Sequence, residues 1–338
     1  MNLRTLAAAT AMVSALTLTA CSGATPSASN SAAPTSEMAV SVGITQIVAH
    51  PSLDASVEGF KAALEEAGYQ VTYDEQNAQG DQQTAATIAG NFANADLDLV
   101  LAVATPTAQA AVQSITDTPI LFTAVTDPAG AGLVASMDAP GANASGTSDA
   151  PPVAEGANPT TEQLQLIKDL IPDAATVGIV YNSGEANSVT QVDWAKEAAP
   201  DLGLEIAEAT VTSTAEVQQA AESLDVDAFY VITDNTVVSA LASLVQVAET
   251  KKIPAIAAEG NSVTEGSAAA MGISYYDLGH QTGEMAVTIL SGEGDPATMP
   301  VESAPELKLF LNIGAAERMG LVVPQEMIDQ ADPMNVTE

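Results

Sequence analysis

One cysteine, two histidines and eight basic residues are scarce features of this 338-residue chain, and each scarcity removes a class of function. A lone cysteine, Cys21, permits no disulfide within the chain, and its place near the N-terminus argues against a thiol-dependent site. His50 and His280 are the only imidazoles, and no G-x-S-x-G, H-E-x-x-H or P-loop pattern occurs, so an enzyme is short of parts. Eight Lys and Arg stand against 43 Asp and Glu, a formal net charge of −35. Phosphate-binding surfaces are basic, which excludes nucleic acid as a partner. The same charge keeps a folded surface soluble and mildly favours cationic or zwitterionic small molecules. Aromatics make up 4% and hydrophobic residues 47%, so a core must come from Ala, Val, Leu and Ile, material suited to helices packed on parallel strands. No catalytic residue, cofactor or metal site is expected.

What is present begins with an export signal. "MNLRTLAAATAMVSALTLTAC" carries Arg4 and then an apolar stretch from Leu6 to Leu18, too short to span a bilayer as a mature helix. Its end, "LTAC", resembles the lipobox of bacterial lipoproteins, in which the cysteine is lipidated and becomes the new N-terminus. The resemblance implies a signal peptide over 1–20 and a lipid, palmitate or a similar acyl chain, on Cys21. "SGATPSASNSAAPTSE" has the composition of a flexible tether, so 21–38 reads as a lipid-anchored linker. The folded part is then extracytoplasmic and held to the cell membrane.

The remaining length suits two domains better than one. From "VGITQIVAH" to "ATPTAQAAV", and again from "VGIVYNSGEANS" to "ITDNTVVSALASLV", the order is strand, polar loop, helix, strand, helix, strand, polar loop, helix. Val57, Phe60, Leu64 and Ala67 form one apolar stripe, and Val238, Leu241, Val245 and Ala248 another. "DLVLAVA", "ATVGIVY" and "DAFYVIT" are continuous apolar runs, as in parallel strands covered on both faces. The fold class expected is α/β, two doubly wound parallel-sheet lobes with a ligand cleft between them and a hinge of several strands. Lobe 1 is expected over 39–147, completed by about 275–305, and lobe 2 over 148–274, completed by about 306–335. "GANASGTSDAPP", 141–152, is the expected crossing.

Ligands in open α/β sheets sit beyond the carboxyl ends of the strands. Six polar segments fall there: "TQIVAHPSLD", "ATPTAQ", "TAVTDP", "YNSGEANS", "ITDNTV" and "AEGNSV". Within them Asp234, Asn235 and Thr236 are all suitable N-caps for the helix that follows, yet a helix needs one. Asp234 and Asn235 are therefore candidates for ligand contact as well as capping. Asn182, Glu185 and Asn187 are candidates or ordinary loop residues. Gln46, His50 and Asp54 precede a helix that Asp54 is suited to cap. Tyr275 and Tyr276 stack on a ligand ring or pack in the hinge, and Trp194 reads as core.

"HPSLDASVEGFKAALEEAGY", "NAQGD", "ATPTAQA", "TAVTDP", "YNSGEANSV", "TDNTVVSAL" and "YYDLG", spread in order from about residue 40 to 315, resemble blocks of the substrate-binding lipoproteins of ABC transporters of the tryptophan/tyrosine type, which have the type I periplasmic-binding-protein fold. The resemblance implies closure of two lobes on a ligand, delivery to ABC permease subunits, and an aromatic or related amino acid as ligand. A zwitterion needs donors for its carboxylate and an acceptor, preferably anionic, for its ammonium. The only arginines are Arg4 and Arg318, so the carboxylate falls to hydroxyls and helix-start N–H groups, with Thr105, Thr107 and Ser148 as candidates. Asp234 and Glu185 are the candidate ammonium acceptors, with Asp127 behind them. The alternatives are a receptor for a nucleoside or sugar, for which aromatic platforms are few, and an extracytoplasmic hydrolase working through paired carboxylates. A cytoplasmic repressor of similar fold is countered by the export signal.

Overall fold

Apolar runs become strands and the amphipathic stretches between them become helices over residues 38–154 and 156–337, which a computed structural model describes. The expected signal peptide, Cys21 and nearly all of the tether lie outside the described residues. The chain opens with β1 (Met38–Gln46), α1 (Pro51–Glu66), β2 (Tyr69–Asn77), α2 (Gln82–Phe92), β3 (Leu99–Val103), α3 (Thr105–Ser114), β4 (Ile120–Val125) and β5 (Ala144–Ser148). The second lobe follows with α4 (Thr161–Leu170), β6 (Thr176–Asn182), α5 (Ala186–Ala198), β7 (Glu205–Val211), α6 (Val217–Ser223) and β8 (Ala228–Val231). It continues through α7 (Asn235–Val238), α8 (Leu241–Lys251), β9 (Ala255–Ala257), α9 (Asn261–Thr264) and β10 (Ala269–Gly272). The chain then returns to the first lobe as α10 (Tyr275–Leu290) and β11 (Glu302–Ser303), and ends in the second as β12 (Lys308–Asn312), α11 (Ile313–Arg318), α12 (Gln325–Gln330) and β13 (Val336–Thr337).

The first sheet runs β11-β5-β4-β3-β1-β2 and is parallel throughout. The second runs β13-β12-β10-β9-β8-β6-β7. One pair in it departs from the parallel pattern: β10 and β12 are antiparallel, with Ala269 opposite Leu311. Each sheet has its own core, with Phe60, Phe92 and Phe122 fully buried in one and Phe229 and Tyr230 in the other. Passage of the chain between sheets after β5, β10 and β11 makes the hinge.

Val57, Phe60 and Leu64 are buried on α1, but much of that helix faces α10 rather than the sheet. Contact is backbone to backbone. A Cβ on Gly279 would lie 1.9 Å from the Ser56 carbonyl oxygen, and one on Gly59 would lie 2.0 Å from that of Tyr276. Only glycine allows this approach, and it fixes the first half of α10 against the middle of α1.

Three local expectations change. The helix starts at Pro51 with His50 in the N-cap position but no side chain capping it, and Asp54 lies within the first turn, exposed, accepting a hydrogen bond from Gln46 Nε2 at 2.8 Å. "NTVVSALASLVQVA" is two helices, because Ser239 Oγ donates to the Asn235 carbonyl at 2.6 Å and Ala240 leaves helical geometry. The crossing segment 141–152 contains a buried strand, β5, so Ser148 still belongs to the first sheet.

Candidate ligand cleft

The loops after β6 and β8 are tied together by two buried carboxylates. Asp234 caps α7: its Oδ1 accepts from Val237 N at 2.8 Å, while Oδ2 accepts from Asn182 N at 2.7 Å and Ser188 Oγ at 2.6 Å. Glu185 accepts from Asn235 N and Nδ2 at 3.0 and 2.6 Å, and from Thr236 N and Oγ1 at 3.1 and 2.9 Å. Burial, and next the charge of Glu185, push the Asp234 carboxyl up to about 7. The dense polar cluster at 233–236 is thus a frame whose two acids are already saturated with donors.

A narrow, nearly filled cavity lies between the lobes at the strand ends. The first lobe and its returning helix contribute His50, Ser52, Leu53, Ala124, Asp149 and Tyr275. The second lobe contributes Asn187, Thr233, Asp234, Asn235, Val238 and Glu259. Three buried atoms of this lining have no hydrogen-bond partner: Asp149 Oδ1, Asn187 Oδ1 and His50 Nδ1. Tyr275 donates its hydroxyl to the other Asp149 oxygen, Oδ2, at 2.6 Å. Burial raises the Asp149 carboxyl, partly offset by that bond. Burial also raises Glu259, although Asn261 N at 2.7 Å and Ser262 N at 2.8 Å, with Ser262 Oγ, donate to it. Desolvation lowers His50 to about 4, so its ring is neutral. The first turn of α1 has no side-chain cap, leaving helix N–H groups beside Ser52 and Leu53 for an incoming acceptor.

Of the residues expected at the site, Asp234, Asn235, Asn187 and Tyr275 line this cavity. Asn182 and Glu185 line a neighbouring interlobe cavity of about 230 Å³, which Asn235 also borders, with Ile47, Val48 and Pro106. Ser148 and Asp127 border an open cleft beside half-buried Trp194; Ser148 Oγ donates to the Thr126 carbonyl and Asp127 accepts from Gly130 N. Gln46 is held by Val48 and Asp54. Thr107 donates to the Val103 and Ala104 carbonyls, and Thr105 is buried with Oγ1 unpartnered; none of these three lines the cavity. Ser52, Asp149, Thr233 and Glu259 were not singled out by the sequence reading. The signal for the two acids was available, since each follows within two residues of a strand's carboxyl end.

The lobes touch across the cleft. Gln191 Nε2 of α5 donates to Thr126 Oγ1 of the first lobe at 3.3 Å and to Thr233 Oγ1 at 2.6 Å, and Gln82 Nε2 of α2 donates to the Gly184 carbonyl at 3.1 Å.

The chain has close relatives. It is 42% identical over 279 residues to a tyrosine-binding protein of Clostridioides difficile (strain R20291), covering 80% of this chain and 78% of that one. Among solved structures, an ABC domain from Streptococcus pneumonia in complex with L-Trp matches at 34% identity with a TM-score of 0.81, covering 88% of this chain and 99% of the other. The ligand-free, open structure of a substrate binding protein with adhesive properties from Clostridium difficile matches at 41% identity but a TM-score of 0.64, covering 88% and 98%. The bonds between the lobes make this a closed arrangement. Residues 41–335 match the family model described as ABC transporter substrate binding protein, and the chain belongs to that family, as a solute receptor of the type I periplasmic-binding-protein fold and not an enzyme.

Proposed function

We propose that this receptor captures an aromatic amino acid, tyrosine or tryptophan, outside the cytoplasmic membrane and presents it in the closed form to the permease of an ABC importer. The observation that carries the reading is Asp149 Oδ1, a buried carboxylate oxygen without a partner on the wall of the interlobe cavity. A buried anion without a countercharge is costly, and an α-ammonium supplies one. Asn187 Oδ1 is a second acceptor for the same group. The uncapped N-terminus of α1, with Ser52, offers donors to the ligand carboxylate. Leu53, Ala124, Val238 and the Tyr275 ring give the side chain apolar walls. The aromatic class is supported by the relatives that are a tyrosine-binding protein and a complex with L-Trp. Asp234 and Glu185 act here as the frame that holds Asn235 and Thr233 at the cavity.

Lipidation of Cys21 anchors the receptor to the membrane, a reading supported by "LTAC" closing the apolar segment. A Cys21→Ser chain is then recovered free of the membrane fraction, and its retention there would contradict the anchor.

Calorimetric titration with L-tyrosine, L-tryptophan and their N-acetyl derivatives tests the ligand site. Asp149→Asn lowers affinity for the free amino acids by about 100-fold or more, the cost of leaving an ammonium without its buried partner, and N-acetylation has a similar effect on the unaltered protein. Equal binding of N-acetyl and free forms would overturn the assignment of the ammonium to Asp149.

A further inference from the structure

The two interlobe cavities lie at different distances from the hinge. The chain passes between lobes at β5, β10, β11 and β12, which stand together at one end of each sheet order, with β2 and β7 at the other. The narrow cavity takes Asp149 from just after β5 and Glu259 from just after β9, so it is the inner part of the cleft. The cavity of about 230 Å³ takes Gln79 and Gly80 from after β2 and Thr212, Ser213 and Thr214 from after β7. It is an outer chamber. Two features join the two spaces. Asn235, held by Glu185 through both its backbone N–H and its Nδ2, borders both. The loop between β1 and α1 does the same, lining the chamber with Ile47 and Val48 and the inner cavity with His50 and Ser52. Lobe closure nearly fills the inner cavity, yet the chamber persists although Gln82 on its rim is already bonded across the cleft to the Gly184 carbonyl. That space far exceeds the ~10–15 Å³ that admits one water. Its floor is buried and carries Ile47 and Pro106, whereas its rim, with Gln79, Gln82, Ser213 and Thr214, is exposed. Among the described residues of this lining Glu185 is the only charged one, and Asn235 and Thr236 already supply it with four donors.

We propose that the outer chamber takes a second residue joined to the ligand through its carboxyl, so that the receptor also captures dipeptides with an aromatic first residue and an uncharged second one. The inference rests on the reading that gives the ammonium to Asp149 and the carboxyl to the start of α1. On that reading the ammonium is on the hinge side, and the carboxyl lies beside the loop whose other end walls the chamber. An extension there runs outward. A peptide carbonyl is still an acceptor for the N–H groups of α1, although it gives up the stronger bond that a charged acceptor makes. The side chain of the second residue meets Ile47, Val48 and Pro106. Its terminal carboxylate reaches the exposed rim, where water solvates it and no buried countercharge is needed. An extension through the amino group has no such path, because Asp149 adjoins only a small recess shared with Thr126, Gln191 and Thr233.

The test is calorimetric titration of the full chain with L-tyrosine, L-tyrosinamide and L-tyrosylglycine, and with the three tryptophan counterparts. The amide loses the carboxylate charge without needing the chamber, so it is the reference for the dipeptide. In the unaltered protein the dipeptide is expected to bind within about 10-fold of the amide. Val48→Phe fills the chamber from its floor, and Thr214→Trp narrows it from the exposed rim. Each is expected to weaken the dipeptide relative to the amide by about 10-fold or more. Ratios between ligands within one variant do not depend on how much of it is folded, and the comparison in the unaltered protein needs no variant. A dipeptide more than about 10-fold weaker than the amide in the unaltered protein, or a ratio that neither substitution changes, overturns the proposal and leaves the amino-acid reading intact. Absence of binding by the amino acid, its amide and its dipeptide overturns both.

Discussion

Because burial and the charge of Glu185 push the carboxyl of Asp234 up from an ordinary 3.8 to about 7, this group is expected to favour the folded protein more in mild acid than in mild base. Between those two values the folded chain keeps a proton that the unfolded chain has released. Stability therefore falls as the pH rises through this window and levels off above about 7. A displacement from 3.8 to about 7 corresponds to roughly 4 kcal/mol across the window. Asp149 and Glu259 are shifted the same way by burial and add to the trend, whereas His50, lowered from 6.5 to about 4 by desolvation, opposes it below about 6.5, where only the unfolded chain takes up its proton. The carboxyls shifted downward, Asp81, Glu208, Glu216 and Asp227, lie at or near the surface, where solvent screens such contributions. Urea unfolding of the ligand-free protein near pH 5 and near pH 8, at about 0.15 M ionic strength, measures the effect. Asp234→Asn separates its sources. The amide oxygen accepts from only one of the Val237 and Asn182 N–H groups that the carboxylate serves, so the variant loses about 1–3 kcal/mol near pH 5. Between pH 5 and pH 8 the wild type loses roughly 3 kcal/mol from this group, so near pH 8 the gap closes or reverses, because the variant carries no buried charge at this position. The contribution of His50 is common to both proteins and cancels in their difference, so a variant whose curve runs parallel to that of the wild type from pH 5 to pH 8 would refute the reasoning.

Two further outcomes follow from contacts outside the ligand's reach. Gln191→Ala removes the bond to Thr126 across the cleft and speeds ligand release by about 10-fold with little change in association; an unaltered off-rate in stopped-flow measurements would rule out the latch. Gly279→Ala drives a methyl against the Ser56 carbonyl and costs about 1–3 kcal/mol or more, which calorimetry reads as a lower melting temperature. Melting at the same temperature would show that α1 and α10 separate at no cost.

Local periodicity made much of the fold legible. "DLVLAVA" and "DAFYVIT" contain β3 and β8, and Val57, Phe60 and Leu64 are buried where their spacing predicts. The partner of that stripe was not legible, since nothing in α1 alone tells a sheet from a glycine-faced helix more than 200 residues away. The antiparallel seating of β12 is likewise a property of its neighbour. At the cleft, residue type and position beyond a strand drew attention to Asp234 and Glu185, which stand at the same level as Asp149 and Glu259. What separates them is the count of donors each receives. Asp234 and Glu185 are fully bonded within the second lobe, whereas one oxygen of Asp149 is not. Such a count depends on loops meeting in space, as Ser188 and Asn182 meet Asp234, and no spacing in the chain encodes it.

The close seating of α10 on α1 also sets an order of assembly. His280 meets Glu66 across 214 positions of sequence, and the first sheet takes its last strand, β11, from the same late segment. The entropy of closing so long a loop grows only slowly with length, but contacts between remote segments form late. A nascent chain that has emerged only as far as β10 has a first lobe with the apolar face of α1 uncovered. It is a substrate for chaperones and proteases, not a half-receptor. For a polypeptide that must cross a membrane before it folds, that delay is an advantage: the segment that completes the first lobe is among the last to arrive.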